Sequence, residues 1–293
     1  MPLRDSYGPN QFGLSFELFP PKTAAGEAEL FQHLPELMSF EPSYVTCTYG
    51  AGGSTRDKTL DIVERVHEQF GCPVASHLTC VGSTVDDLRA YLRETDARGV
   101  ENIVALRGDP PKGQAQFEAV TGGFRFASDL VRLIRGEFPQ FGIAVAGYPE
   151  THQEALSPQA DLDNLKRKVD AGADAVITQL FYVNDDFFRF RDACERLGIR
   201  VPIVPGILPV TNLTQIKRIA SLCGARLPER FQAALAASES SADDQFEIGV
   251  DFATEQVRQL MESGIPGVHF YVLNKSPATS RVLRAVAGTE RRR

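Results

Sequence analysis

Short apolar runs alternate along the chain with longer amphipathic stretches, the pattern expected when parallel strands are joined by crossover helices. Eight runs read as strands, at 13–19, 44–48, 74–79, 103–106, 143–147, 175–179, 201–205 and 268–273. Helices are predicted over 26–38, 55–69, 84–97, 127–137, 160–171, 185–197, 212–221 and 277–287, several with Ser, Thr, Asp or Asn near their starts. Between the seventh and eighth strands a polar, alanine-rich stretch at 227–244 leads into a further helix ending near Glu262, read as elaboration and not as another domain. The expectation is one α/β domain spanning 1–293, a closed (β/α)8 TIM barrel with extra helices between strands seven and eight. A doubly wound open sheet shares much of this periodicity, but the count of units favours the barrel.

Composition narrows the class. With 43% hydrophobic and 24% charged residues the chain has a core-forming composition, not a disordered or fibrous one. A formal net charge of −7 disfavours nonspecific binding to nucleic acid or to an anionic membrane, since both need a basic surface. No cationic leader with a small-residue cleavage site is visible, and every apolar run is far short of a bilayer span, so a cytoplasmic location is expected. Five cysteines, Cys47, Cys72, Cys80, Cys194 and Cys223, form no close metal-ligand pair and are read as mostly buried thiols.

In a barrel the site belongs at the carboxyl ends of the strands, and polar residues accumulate there on several strands. Glu17, Thr48, His77, Asp109, Tyr148, His152, Gln179, Asn274 and Lys275 all fall at or just after predicted strand ends. Glu17 sits between Phe16 and Leu18, an apolar setting that suits a general acid, although a rim or salt-bridged carboxylate is the blander reading. The loop Leu106-Arg107-Gly108-Asp109-Pro110-Pro111 combines a cation, a flexible glycine and a carboxylate, as a ligand-approaching loop or an ordinary turn would. Asp161, Asn164, Arg167 and Lys168 share one face of a predicted helix, either a solvated surface or a place for a ribityl chain and phosphates.

His77, His152 and Asp109 are chemically suited to a divalent metal, which keeps a metal-assisted hydrolase open, but their wide separation carries no ligand-spacing signature. No GxGxxG follows an early strand, and Gly50-Ala51-Gly52-Gly53 lacks the lysine and spacing of a phosphate loop. Ser54-Thr55 and Ser83-Thr84 read as helix caps. His33 and His67 read as helix-packing or surface groups, and His269 points either into the barrel or outward.

Taken in order, the segments Phe16-Glu17-Leu18-Phe19-Pro20-Pro21-Lys22-Thr23, Thr46-Cys47-Thr48-Tyr49-Gly50-Ala51-Gly52-Gly53-Ser54, His77-Leu78-Thr79-Cys80 and Leu106-Arg107-Gly108-Asp109 form a recognisable pattern. It continues through Ala146-Gly147-Tyr148-Pro149-Glu150, Ile177-Thr178-Gln179-Leu180-Phe181, Pro205-Gly206-Ile207-Leu208-Pro209-Val210 and Phe270-Tyr271-Val272-Leu273-Asn274-Lys275. The chain resembles the bacterial 5,10-methylenetetrahydrofolate reductase family over nearly its whole length. The resemblance implies a homo-oligomeric FAD enzyme of one-carbon metabolism that passes hydride from NAD(P)H, with NADH favoured over NADPH, through the flavin to methylenetetrahydrofolate. The product, 5-methyltetrahydrofolate, would supply methyl groups for methionine synthesis. A flavin-binding interaction protein without turnover is the remaining alternative.

By resemblance, Glu17 looks like the general acid that opens the methylene bridge to an N5 iminium, and Asp109 like the carboxylate that orients folate and tunes the flavin. Thr48, Tyr49, His77, Arg107, Gly108, Asp109, Phe126, Ala127, Ala146, Tyr148, His152, Asp161, Asn164, Arg167 and Lys168 match the FAD surroundings. Glu17, Asp109, Gln179, Gln215, Ile219 and Lys275 match contacts to folate or the nicotinamide donor, used in turn by one pocket with ping-pong kinetics. Three positions depart from the familiar pattern: Ile219 stands where an aromatic is common, Phe126 where tyrosine is familiar, and Lys275 where arginine can occur. The chain stops soon after the barrel, so the carboxyl-terminal regulatory domain of eukaryotic relatives, and with it inhibition by S-adenosylmethionine, is not expected.

Overall fold

In a computed structural model of the chain, residues 3–8, 11–49, 56–110, 113 and 117–290 are described. The glycine-rich motif at 50–53, the Ser54-Thr55 pair and Pro111 lie outside them. Among the described residues strands and helices alternate as β1 (Gly13–Leu18), α1 (Ala24–Met38), β2 (Tyr44–Cys47), α2 (Arg56–Phe70), β3 (Val74–Thr79), α3 (Val85–Ala97), β4 (Asn102–Leu106), α4 (Ala127–Glu137), β5 (Gly142–Gly147), α5 (Pro158–Asp170), β6 (Ala175–Thr178) and α6 (Asn184–Arg196). The chain continues through β7 (Ile203–Val204), β8 (Gly206–Ile207), α7 (Leu213–Cys223), α8 (Glu229–Ala237), α9 (Ala242–Glu262), β9 (Gly267–Tyr271) and α10 (Pro277–Glu290). Local chemistry sets many of these boundaries. Thr84 and Asp87 form a reciprocal capping box on α3, Ser157 caps α5 ahead of Pro158, and Asn212 caps α7.

The strands form one nine-stranded parallel sheet, ordered β7-β6-β5-β4-β3-β2-β1-β9-β8, that curls almost into a closed barrel. This corrects the expected closed (β/α)8 TIM barrel. In place of the one strand read at 201–205 there are two two-residue pieces on either side of Pro205, β7 pairing with β6 and β8 with β9. Pro202 and Pro205 have no N–H to give a ladder, and only their carbonyls take part, accepting from Val176 N (2.9 Å) and His269 N (3.0 Å). The sheet therefore has two ends, which meet at Pro205.

Two packed layers follow from period-two alternation. Phe16 and Leu18 of β1, with Val268 and Phe270 of β9, face the helices in the main core. The barrel interior holds a separate cluster of Tyr44, Ala75, Val104, Ala144, Ala175, Ile177 and Val204, floored by a 3-10 helix (Leu3–Tyr7) that the sequence reading lacked. Leu3 and Tyr7 enter this cluster, and the Leu3 backbone N–H donates to Asn102 Oδ1 at 2.8 Å. Cys47, Cys72, Cys80 and Cys194 are buried free thiols and Cys223 is half-buried. Among the described residues no helix is long and apolar enough to cross a membrane.

The stretch between β8 and β9 builds a third core. Leu208, Val210, Leu213, Ile216, Phe231 and Leu235 pack with Leu180 and Tyr182, and Phe231 stacks on Phe252 with ring centroids 4.0 Å apart. α9 orients α7 through Gln245, whose side-chain oxygen accepts from Leu213 N at 2.8 Å. α9 also runs against the loop after β8 so closely that a Cβ on Gly249 would lie 1.6 Å from the Val210 carbonyl oxygen. Gly249→Ala should therefore lower stability by roughly 1–3 kcal/mol through overpacking, read as a reduced denaturation midpoint in urea. An unchanged midpoint would mean that α9 slides freely on this loop.

Candidate active site

The carboxyl ends of the strands surround a cavity of about 900 Å³. Its lining brings together Glu17, Thr48, Tyr49, His77, Arg107, Gly108, Asp109, Phe126, Ala127, Ala146, Tyr148, His152, Asp161, Asn164, Arg167, Lys168, Gln179 and Ile219. Gln215 and Lys275 are not in that lining. Gln215 is exposed on α7, and Lys275 is exposed with its ammonium 3.5 Å from Glu29. The lining also includes Cys223, read from the sequence only as a thiol, and Leu208, Leu273 and Tyr271, to which the sequence analysis gave no site role.

Glu17 lies at the cavity base. Its register partners are Thr46 on β2 and Tyr271 on β9. Two imidazoles approach the same carboxyl oxygen, His77 Nε2 at 3.4 Å and His269 Nε2 at 3.5 Å from Oε2. His269 is fully buried, and its Nδ1 is 2.8 Å from Ser15 Oγ. Burial pushes the His77 imidazole below its ordinary range, the Glu17 carboxyl pulls it back up, and nearby His269 lowers it further, so neutral imidazole is the favoured form. Burial together with the Glu17 charge pushes the Tyr271 phenol well up, and its hydroxyl donates to the Thr178 carbonyl at 2.7 Å.

The loop after β1 is fastened to the loop after β9 by Asn274. Its amide accepts from Phe19 N (3.0 Å) and donates to Phe19 O (2.8 Å), so one side chain serves as a ladder partner at the rim. Leu273 and Asn274 carry φ of 48° and 59°, a left-handed turn that aims this amide back at β1. Gly108 is required by its site, because φ is 89° and a Cβ would lie 2.7 Å from Val81. Arg107 reaches Glu154 at 2.7 Å and Asp109 is exposed at the rim.

The α5 wall is the cationic side. Lys168 Nζ donates to the Ala146 carbonyl at 2.5 Å and lies 5.9 Å from the Tyr148 ring. Burial pushes this amine down to about 8, against the opposing pull of Asp161. Arg167 donates to Asn164 Oδ1 at 2.8 Å, and Asp161 accepts from His152 N at 2.9 Å. Leu180, Leu208, Ile219 and Leu273 give the lining an apolar part. Such a cavity suits a flat ring system carrying a polyol and a diphosphate, with cations for the anion and an acid beneath the ring. The metal alternative finds no support in this arrangement. Among the described residues no group of three or more His, Cys, Asp or Glu side chains could hold a metal ion, and His77 and His152 keep to separate neighbours, Glu17 and Tyr148.

The family model for methylenetetrahydrofolate reductase matches residues 3–287. The chain is 41% identical over 283 residues to methylenetetrahydrofolate reductase (NADH) 1 of Arabidopsis thaliana, covering 93% of this chain and 48% of that protein. It is 42% identical over 266 residues to 5,10-methylenetetrahydrofolate reductase of Escherichia coli, covering 91% of this chain and 88% of that protein. The chain thus spans about half the length of the plant relatives, of which the Zea mays protein is another at 39% identity. Among solved structures, a Clostridium thermocellum protein described as binding two copies of 5-methyl-5,6,7,8-tetrahydrofolic acid has a TM-score of 0.62 at 15% identity, covering 95% of this chain and 96% of that one. At that identity the likeness shows the fold alone. With the family match running almost end to end and relatives near 40% identity, the chain belongs to the methylenetetrahydrofolate reductase family.

Proposed function

We propose that this chain is an FAD-dependent reductase that converts 5,10-methylenetetrahydrofolate to 5-methyltetrahydrofolate with electrons from a reduced nicotinamide dinucleotide. The observation that carries this reading is that Glu17 lines the same cavity as the cationic side chains of α5, in a chain of this family. The folate named for the Clostridium thermocellum neighbour agrees with it, and the NADH named for the plant relatives favours NADH as donor. When bound, FAD supplies the hydride relay between donor and folate.

The residues fit such a cofactor. Arg167 and Lys168 offer charge-assisted donors to a diphosphate, and Asp161 with Asn164 offers partners for ribityl hydroxyls on the same helix face. Thr48, Tyr49, His77, Arg107, Gly108, Phe126, Ala127, Ala146, Tyr148 and His152, which line the same cavity, would surround the flavin ring. At Phe126 the side chain is half exposed and brings no hydroxyl, so it contributes surface only.

Glu17 delivers the proton that lets the methylene bridge open to the N5 iminium, the species that accepts hydride. Asp109 orients the pterin from the rim. Gln179 lies in the wall as a polar contact for either substrate, and Ile219 offers an apolar face where an aromatic would stack. Gln215 and Lys275 would touch only the parts of a substrate that extend past the lining. One cavity serving both substrates in turn implies ping-pong kinetics.

Anaerobic titration tests both half-reactions: NADH should bleach the flavin bands, and methylenetetrahydrofolate should restore them. Bound FAD showing neither step would instead favour a binding protein without turnover. Glu17→Gln should leave flavin reduction by NADH within about threefold of wild type and slow the folate step by roughly 100-fold or more. A normal folate step in that variant would remove Glu17 as the acid. A second outcome follows from Lys168, whose ammonium is retained below about pH 8 and lost above it. Affinity of the apoprotein for FAD should fall as pH rises through 8, and the Lys168→Met variant should bind more weakly without that pH dependence, as measured by flavin fluorescence quenching.

A further inference from the structure

We propose that Gln153 and Glu150, in the loop between β5 and α5, are positioning residues that hold the carboxyl end of α7 and thereby set where Ile219 and Cys223 meet a substrate. The inference rests on the reading of the cavity as a flavin site used in turn by folate and the nicotinamide donor. It starts from the way α7 is held. Leu213, Ile216 and Ala220 bury one face of this 11-residue helix, and the first two pack in the third core. Apolar packing is non-directional, so it resists separation better than it resists tilting or sliding. Directional bonds at the two ends have to fix the rest. At the start, Asn212 caps the helix and Gln245 takes the Leu213 N–H. Cys223 ends the helix and Ile219 lies one turn before it, both in the cavity lining, so the far end decides the shape of the site.

A helix leaves its last carbonyls without partners of its own. Here Gly224 N and Ala225 N both turn back to the Ala220 carbonyl. The next two carbonyls face Gln153, whose side-chain amide donates to Leu222 O at 3.1 Å and more weakly to Ser221 O at 3.5 Å. The approach is close, since a Cβ on Gly224 would lie 2.8 Å from that amide nitrogen. Earlier in the same loop Glu150 Oε1 accepts from Arg226 N at 2.9 Å, just past the helix end. The Arg226 guanidinium runs on to Asp186 of α6 at 2.9 Å, a carboxylate only 6% exposed that Arg189 also holds. The turn from α7 to α8 is thus pinned by the β5 to α5 loop and by α6.

The loop that grips α7 is itself tightly folded and serves the flavin side. Tyr148 and His152 line the cavity from it, their rings edge to face with centroids 4.6 Å apart. Thr151 turns the chain with a φ of 73°, Glu154 N donates to His152 Nδ1 at 3.1 Å, and Asp161 of α5 accepts from His152 N. One loop therefore carries flavin-side residues into the lining and also holds the substrate-side helix. Scale shows why this matters. At about 1.5 Å of rise per residue, a tilt of about 5° around the start of α7 would carry Cys223 by roughly 1.3 Å. Such a shift is enough to open or crowd an apolar contact, because its attraction is short-ranged. Neither Ile219 nor Cys223 carries the proton or the hydride, so substrate fit should suffer and the chemical step should not.

Gln153→Ala removes the donor, Gln153→Glu puts a negative group at the negative end of a helix, and Gln153→Lys restores a donor with favourable charge. In the flavin-loaded enzyme Gln153→Ala should raise the half-saturating concentration of methylenetetrahydrofolate roughly 3- to 10-fold, as loss of one ordinary hydrogen bond would, with the limiting rate of that step within about twofold. Gln153→Glu should raise it further, and Gln153→Lys should return it to within about twofold of wild type. Glu150→Gln, which keeps an oxygen for Arg226 N–H, should behave as wild type, and Glu150→Ala as Gln153→Ala. In parallel, hydrogen exchange of the segment 216–225, read by mass spectrometry, should quicken by about threefold or more in Gln153→Ala and recover in Gln153→Lys. Unchanged exchange in folded Gln153→Ala protein, or no recovery with Gln153→Lys, would overturn the clamp. Faster exchange with unchanged half-saturation, or a loss confined to the limiting rate, would overturn its role in positioning. A wild-type protein showing neither half-reaction would overturn the functional reading instead, while exchange still decides whether Gln153 holds α7.

Discussion

The parallel ladder between β1 and β9 is the constraint on which the rest of the molecule hangs. It joins residues 254 positions apart, Ser15 and His269 among them, and curls the sheet so that its two ends can meet at Pro205. A slip of one residue would turn Ser15 and Glu17 toward the helices and bring Phe16 and Leu18 into the cavity. Burial of Phe16, Leu18, Val268 and Phe270 against the helix layer is what prevents that slip. The cost of an acid and two imidazoles in the interior is thus carried by apolar neighbours on the reverse faces of the same strands.

Around that base the cavity is built from two chemically different supports. α5 brings lysine and arginine to one wall of a protein whose net charge is −7, so local basicity coexists with an acidic whole. α7, backed by the α8 and α9 elaboration, supplies an apolar part of the wall with its own core, in which Phe231 and Phe252 stack. The insertion thereby holds Ile219 and Cys223 at the cavity edge, which a bare strand and helix repeat would leave open.

Much of this was legible in the residues. A strand at 74–79 and a helix at 127–137 emerge with the bounds read from periodicity, and the strand-end polar residues other than Asn274 and Lys275 converge on one cavity. The strand at 201–205 misled because hydrophobic character reports burial and not hydrogen bonding; two prolines in five residues were the signal that the ladder breaks. His269 was left undecided because alternation defines two faces of a strand without saying which is interior. Only pairing with β1 settles it: Val268 and Phe270 join the helix-facing core, so His269 must face inward. The 3-10 helix at the floor is too short for any periodicity, and Gln215 and Lys275, matched by family pattern, carry no local feature that would tell an exposed position from a lining one.

The β1 to β9 ladder also has a consequence in time. Glu17 leaves a ribosome long before His269 and the Asn274 clamp on Phe19 do. Contacts of such long sequence separation close slowly, because the entropy of a large loop is lost before any pairing compensates. A growing chain can therefore stack β2 to β6 and their helices well before the acid has its imidazole partner. The protein is assembled around a reactive group that stays chemically unfinished until β9 has been made.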